Sequence, residues 1–131
     1  MSGVTGKFKL ISSENFDDFL AACGVGMVMR KLGASSKPVV EISNDGDTWT
    51  IKTITTFKTS EIKFKLGEEF QETRLDGSIV KTVVTLDGDK LVQKQFGDKE
   101  VVITREIEGD KLKVVCTVDD IVSTRIYDKL E

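Results

Sequence analysis

Near its C-terminus the chain places a guanidinium and a phenol two residues apart, in Ile121-Val122-Ser123-Thr124-Arg125-Ile126-Tyr127. β-Branched residues dominate this stretch and neither Gly nor Pro interrupts it, so it reads as a β-strand. Side chains alternate across a strand, which puts Ile121, Ser123, Arg125 and Tyr127 on one face. A cation beside a neutral hydroxyl donor is chemistry for holding an anion. A second cation has the same setting: Arg105 alternates in phase with Val101, Ile103 and Ile107, on an otherwise aliphatic face. For Arg125 taken alone, a solvated side chain or a wall salt bridge is the simpler reading. For Arg105 it is weaker, because an arginine on an inward face is unfavourable unless an anion or ordered water satisfies it.

Other chemistries are narrowed by what the chain lacks. It contains no histidine, which removes His-based acid–base catalysis, His-activated Ser or Cys nucleophiles and the commonest metal ligand. Cys23 and Cys116 lie far apart in unrelated contexts, cannot by themselves build a zinc site and read as free thiols. No metal or cofactor is expected. The net charge of −3 is spread evenly, with no basic block or nucleic-acid-binding motif, so nucleic acid is not an expected partner. No apolar run is long enough to span a bilayer and no apolar signal core opens the sequence. The expected location is cytoplasmic, with export by a route that needs no signal still compatible.

The elements that would position these groups follow from periodicity. Gly6–Leu10 alternates as a short first strand. Asn15 with Asp18 resembles a capping box with the shorter acid. Phe16, Phe19, Leu20 and Cys23 then fall on one helical face. Val25, Val28, Met29 and Leu32 repeat that spacing, giving a second short helix over Val25–Leu32 with Gly33 in the left-handed position after it. Arg30 and Lys31 read as solvated charges at its end, with contact to an anionic membrane surface as the weaker alternative. Neither helix is long enough to be stable alone, so the pair must rest on something.

From Pro38 onward the chain reads as strand after strand, separated by Asp-Gly, Gly-Asp and related turns. About ten short strands at 8–12-residue spacing mark an all-β sandwich or barrel. Such short turns favour a meander, and closure hides its edges. We therefore expect one domain over residues 1–131, an antiparallel ten-stranded up-and-down β-barrel closed by a helix-turn-helix lid. A Greek-key sandwich is the alternative, but it needs longer crossovers. A ten-stranded barrel is wider than the eight-stranded kind that side chains fill, so its interior is a cavity. Apolar walls with a cationic and phenolic end suit an apolar molecule that carries a carboxylate, for which the planar fork of Arg is well matched.

Gly6-Lys7-Phe8-Lys9-Leu10, Asn15-Phe16-Asp17, Gly24-Val25-Gly26, Phe57-Lys58, Phe64-Lys65-Leu66-Gly67-Glu68-Glu69-Phe70, Asp76-Gly77, Arg105-Glu106 and Thr124-Arg125-Ile126-Tyr127 resemble, from end to end, the intracellular fatty-acid-binding proteins of the calycin group. The resemblance is to the heart, adipocyte and myelin types and the retinoic-acid binders. Retinol binders carry glutamines at the two Arg positions, and liver-type and bile-acid members lack the terminal Arg-x-Tyr pattern. The resemblance implies a non-enzymatic, monomeric intracellular carrier that holds a long-chain fatty acid non-covalently, with a retinoic-acid-type carrier as the alternative. It assigns the ligand carboxylate to Arg105, Arg125 and Tyr127. It implies a cavity and portal lined by Phe16, Phe19, Leu20, Val25, Met29, Val40, Phe57, Asp76, Ile103, Val114 and Cys116, to which inward strand parity adds Thr53. Transient membrane-surface contact through the lid is the weaker alternative given above for Arg30 and Lys31. By pattern alone, plain helix packing is the simpler reading of Phe16, Phe19, Leu20 and Met29, and a strand core residue is an alternative for Phe57. A pure membrane-stacking protein is a further class, separable from a carrier by salt-sensitive vesicle binding without any lipid ligand.

Overall fold

The structure, a computed structural model, describes residues 4–56, 58–74 and 77–130. Ten strands and two helices follow in the order β1 (Gly6–Glu14), α1 (Phe16–Ala22), α2 (Met27–Ser35), β2 (Val39–Asp45), β3 (Thr48–Ile54), β4 (Thr59–Lys65), β5 (Phe70–Thr73), β6 (Ile79–Asp87), β7 (Lys90–Phe96), β8 (Glu100–Glu108), β9 (Lys111–Val118) and β10 (Ile121–Lys129). The strands form one antiparallel sheet in the order β4-β3-β2-β1-β10-β9-β8-β7-β6-β5. It is the expected meander, because hairpin turns leave each strand beside the next. The first strand pairs with the last, with Phe8 opposite Lys129 and Leu10 opposite Tyr127, so the sheet curls into a barrel.

Closure is incomplete in one place. Among the described residues β4 and β5, consecutive in sequence, form the two ends of the sheet and share no ladder. An aromatic pair spans the break at one end, where the Phe64 and Phe70 rings stack with centroids 5.5 Å apart and planes 9° from parallel. The core lies inside the curl: Phe8, Leu10, Val40, Ile42, Trp49, Ile51, Phe64, Val84, Leu91 and Leu112 are buried together, with Phe19, Leu20 and Val25 contributed by the helices.

The N-terminal third differs from expectation. The first strand runs on past Leu10 to Glu14 through a bulge between Leu10 and Ser12, since Ser12, Ser13 and Glu14 continue the pairing with β10. Asn15 takes a left-handed conformation (φ 60°), and its side chain makes no cap. Its Nδ2 donates instead to the Val122 carbonyl at 3.2 Å, tying the start of the hairpin to β10. The second helix starts two residues later than Val25 and includes Gly33. A Cβ there would lie 3.4 Å from Leu20 Cδ1 and 3.7 Å from Phe16 Cε2, ordinary contact distances, so Gly33 is an interior helical residue facing α1 and not a helix stop. Val28 and Leu32 are exposed, together with Met27, so the apolar face expected of the second helix is only partly covered.

Candidate functional site

Strand register brings the two arginines to one rung. Arg105 pairs with Val114 and Val114 with Arg125, so their backbones stand two strand spacings apart, roughly 10 Å. Tyr127 is the next inward residue along β10, and Cys116 and Ser123 pair with each other one rung away. Parity therefore places Ser123, Arg125 and Tyr127 inside, and all three are buried. The Ser123 hydroxyl donates to the Glu14 carbonyl at 2.7 Å and so serves the wall.

Arg125 is 6% exposed, and its Nε is buried without a hydrogen-bond partner among the described residues. Its Cζ lies 3.7 Å from the centroid of the Phe16 ring and 6.0 Å from that of Tyr127. The α1 aromatic thus covers one face of the guanidinium by a cation–π contact and leaves its edge for hydrogen bonding. Burial pushes the Tyr127 hydroxyl above its usual range, against the opposing pull of Arg125 and Arg105. At neutral pH the phenol is a neutral donor. Burial likewise pushes the Cys116 thiol up to about 11 despite both arginines, so it is a protonated wall residue and not a nucleophile.

Arg105 is engaged differently. Its Nη1 donates to Gln93 Oε1 at 2.6 Å, and Gln93 Nε2 donates to Glu72 Oε1 at 2.7 Å. The same oxygen accepts from Thr82 Oγ1 at 2.9 Å and Gln95 Nε2 at 3.1 Å. Burial lowers the affinity of Arg105 for its proton, and Cys116, Tyr127 and Glu72 act in the other direction. Arg105 is enclosed by the barrel yet half-buried, because part of its surface faces a cavity of about 450 Å³ shared with Ile51, Thr53, Ile62, Phe70 and Glu72. That cavity lies against the β4–β5 break. Arg125 instead borders a cleft of about 300 Å³ between β1, β10 and the helices, with Leu10, Phe16 and Gly33.

The remaining expected residues divide as follows. Thr53 lines the larger cavity. Phe16 borders the cleft, while Phe19, Leu20 and Val25 are buried and Met29 is half-buried under the helices. Val40, Val114 and Cys116 are buried, and Ile103 packs beside them. Phe57 and Asp76 lie outside the described residues. Arg30, read as a solvated charge, is instead a tie: its Nε bonds Asp17 Oδ1 at 3.1 Å and its Nη1 donates to the Val25 carbonyl at 2.9 Å. Lys31 is exposed. A further arginine fastens the helices to the barrel, with Arg74 Nη2 donating to the Cys23 carbonyl and Nε to Ser78 Oγ, both at 3.2 Å.

Glu72, Thr82, Gln93 and Gln95 were not anticipated. Each lies in phase with inward apolar neighbours: Glu72 with Phe70, Thr82 with Val80 and Val84, and Gln93 and Gln95 with Leu91. The signal that singled out Arg105, a polar side chain on an apolar phase, was therefore present for all four.

The family model of the lipocalin / cytosolic fatty-acid binding protein family matches residues 5–130. The chain is 50% identical over 128 residues to a fatty acid-binding protein of Lepidoglyphus destructor, covering 97% of this chain and 98% of that one. It is 47% identical over 128 residues to the sodium/calcium exchanger regulatory protein 1 of Doryteuthis pealeii, covering 98% and 97%. Among solved structures, a Schistosoma mansoni fatty acid binding protein in complex with arachidonic acid superposes with a TM-score of 0.96 at 41% identity, covering 100% of this chain and 98% of that one.

Proposed function

This chain belongs to the lipocalin / cytosolic fatty-acid binding protein family, and from that premise we propose that it is a non-enzymatic cytoplasmic carrier of long-chain fatty acids. One observation carries the reading: Arg125 is buried, capped on one face by Phe16, and holds an Nε–H with no partner among the described residues. A buried donor of this kind calls for an acceptor, and a carboxylate presents two oxygens in the geometry a guanidinium fork matches. Tyr127 adds a neutral hydroxyl to the same oxygens. Arg105, with one N–H held by Gln93 and others still available, adds charge and reaches the carboxylate through water.

The whole chain acts as one binding unit and works as a monomer. The ligand's apolar chain lies along Thr53, Val40, Ile103, Val114 and the underside of the helices. Admission of ligand requires the α1–α2 hairpin to lift where Arg74 fastens it. The exposed Met27, Val28, Lys31 and Leu32 suit brief contact with a membrane surface during transfer. Among the described residues no helix is long and apolar enough to cross a membrane. Catalysis is disfavoured, since no histidine is available to activate a nucleophile and Cys116 stays protonated.

A family member named for exchanger regulation is nearly as similar as one named for fatty acids, so binding is best tested on this chain directly. Lipid extracted from the purified protein should contain acyl carboxylates by mass spectrometry. Oleate should bind saturably at one site per chain in calorimetric titration and should outcompete retinoic acid. Absence of saturable oleate binding would overturn the carrier reading; tighter retinoic-acid binding would favour the retinoid alternative.

A further inference from the structure

We propose that Glu72 is the acceptor of a second polar subsite, which takes a hydrogen bond from a hydroxyl on the ligand's chain and makes the cavity favour hydroxylated over plain fatty acids. The proposal rests on the carrier reading above and goes beyond it by naming the class of acyl chain.

A carboxylate is an odd lining for a cavity that takes an apolar tail. Glu72 lines the cavity at the β4–β5 break, where the apolar Ile51, Ile62 and Phe70 alternate with polar residues such as Thr53, Ser60 and Arg105. Its Oε1 accepts from Thr82, Gln93 and Gln95, all three of them buried. Its Oε2 accepts no hydrogen bond from the described residues. An ionised carboxyl has about four lone-pair sites, so the protein saturates one oxygen and leaves the other for whatever fills the cavity. Leaving that oxygen against methylene groups is unfavourable, whereas one donor satisfies it.

The chemistry of that donor is constrained from several sides. The ligand's own carboxylate is repelled by Glu72 and drawn to Arg125 and Tyr127. Carbonyl and ether oxygens are acceptors only and leave Oε2 unsatisfied. A full cation is not required, because Arg105 already compensates the charge through Gln93. A neutral hydroxyl remains. Geometry sets where on the chain it falls. In the sheet order β5 stands five strands from β10, half-way round the ten. Arg105 and Gln93 stand between Glu72 and Arg125, so a ligand anchored at Arg125 and Tyr127 meets Glu72 along its tail, beyond Arg105, and not at its carboxylate.

Ricinoleate and oleate test this, since they match in length and unsaturation and differ by one hydroxyl. Calorimetric titration of the intact protein should show ricinoleate binding about tenfold tighter, the effect of one added hydrogen bond to a charged acceptor. Glu72→Leu should lose the preference, read as the ratio of ricinoleate to oleate affinity, so that any general weakening from the donors it leaves unpaired affects both lipids alike. Thr82→Val removes a donor to Oε1, leaves Oε2 in place and should keep the preference. A readout independent of variants is the ¹³C resonance of the Glu72 carboxyl, expected to shift with ricinoleate and not with oleate. Equal affinities in the wild type, a preference that survives Glu72→Leu, or an unmoved Glu72 resonance each overturn the proposal. Failure of both lipids to bind overturns the carrier reading as well, and is distinguishable from oleate binding without preference.

Discussion

Replacing Arg125 by Met should separate affinity from stability, because the side chain acts on the two with opposite signs. Methionine keeps an unbranched apolar stem and removes the guanidinium. A bound carboxylate loses two charge-assisted hydrogen bonds at about 1.5–3 kcal/mol each, which is roughly a hundred- to ten-thousand-fold in affinity. The unliganded protein loses the Phe16 cation–π contact, about 0.5–2 kcal/mol, but is relieved of a buried N–H without a partner, about 1–3 kcal/mol. These nearly cancel, so the unliganded variant should melt within a few degrees of the wild type or slightly above it. Oleate at a hundred times the wild-type Kd should stabilise the wild type by about 2.7 kcal/mol and leave the variant almost unmoved. Calorimetric titration gives the first quantity, and thermal melts with and without oleate give the rest. An oleate affinity within fivefold of wild type would refute the reasoning. So would a variant that loses stability and affinity in parallel, since Arg125 would then be a structural side chain.

Gly33→Ala should stabilise the protein by about 0.5–1 kcal/mol in urea unfolding, since the residue is helical and the added methyl meets Leu20 and Phe16 at ordinary contact distance; destabilisation would show that the helix interface has no slack. Arg74→Ala releases the Cys23 carbonyl and should speed oleate release severalfold in stopped-flow displacement with little change in the melting temperature; an unchanged off-rate would place the opening step elsewhere. The Cys116 thiol is raised from its ordinary 9.0 to about 11, so its contribution to stability is complete below pH 9 and lost as pH rises toward 11. Urea midpoints should therefore fall more steeply over that window in the wild type than in Cys116→Val, and matching slopes would contradict the assignment of Cys116 to the buried wall.

Most of the barrel was legible because alternation and turn chemistry are local. The runs Ile79–Leu86, Leu91–Phe96, Val101–Ile107 and Leu112–Val118 each follow an Asp-Gly or Gly-Asp pair, and β6 to β9 match them within a residue or so at each end. Parity also placed Arg105, Arg125 and Tyr127 on inward faces. The hairpin was read less well because its conformation answers to distant partners. Asn15 has the side chain of a helix cap, yet the Val122 carbonyl, 107 residues away, claims it. Gly33 looks like a helix stop, yet α2 runs through it to Ser35 where it faces Leu20 and Phe16 of α1. The division of labour between the arginines was out of reach for the same reason. Which one is held by the wall depends on Gln93 and Glu72, contributed by two other strands, and no local pattern says that they converge.

The unpaired flank between β4 and β5 has a mechanical consequence. In a fully laddered barrel the circumference is set by strand number and stagger, and widening it means breaking hydrogen bonds. Here the perimeter has one joint held by side chains, the Phe64–Phe70 stack among them. Spreading at that joint would widen the barrel like a split collar while every ladder stayed intact. Arg125 and Tyr127, on the opposite side of the sheet, would stay on their ladders, whereas Arg105 is tied through Gln93 to Glu72 on β5 and would feel the movement.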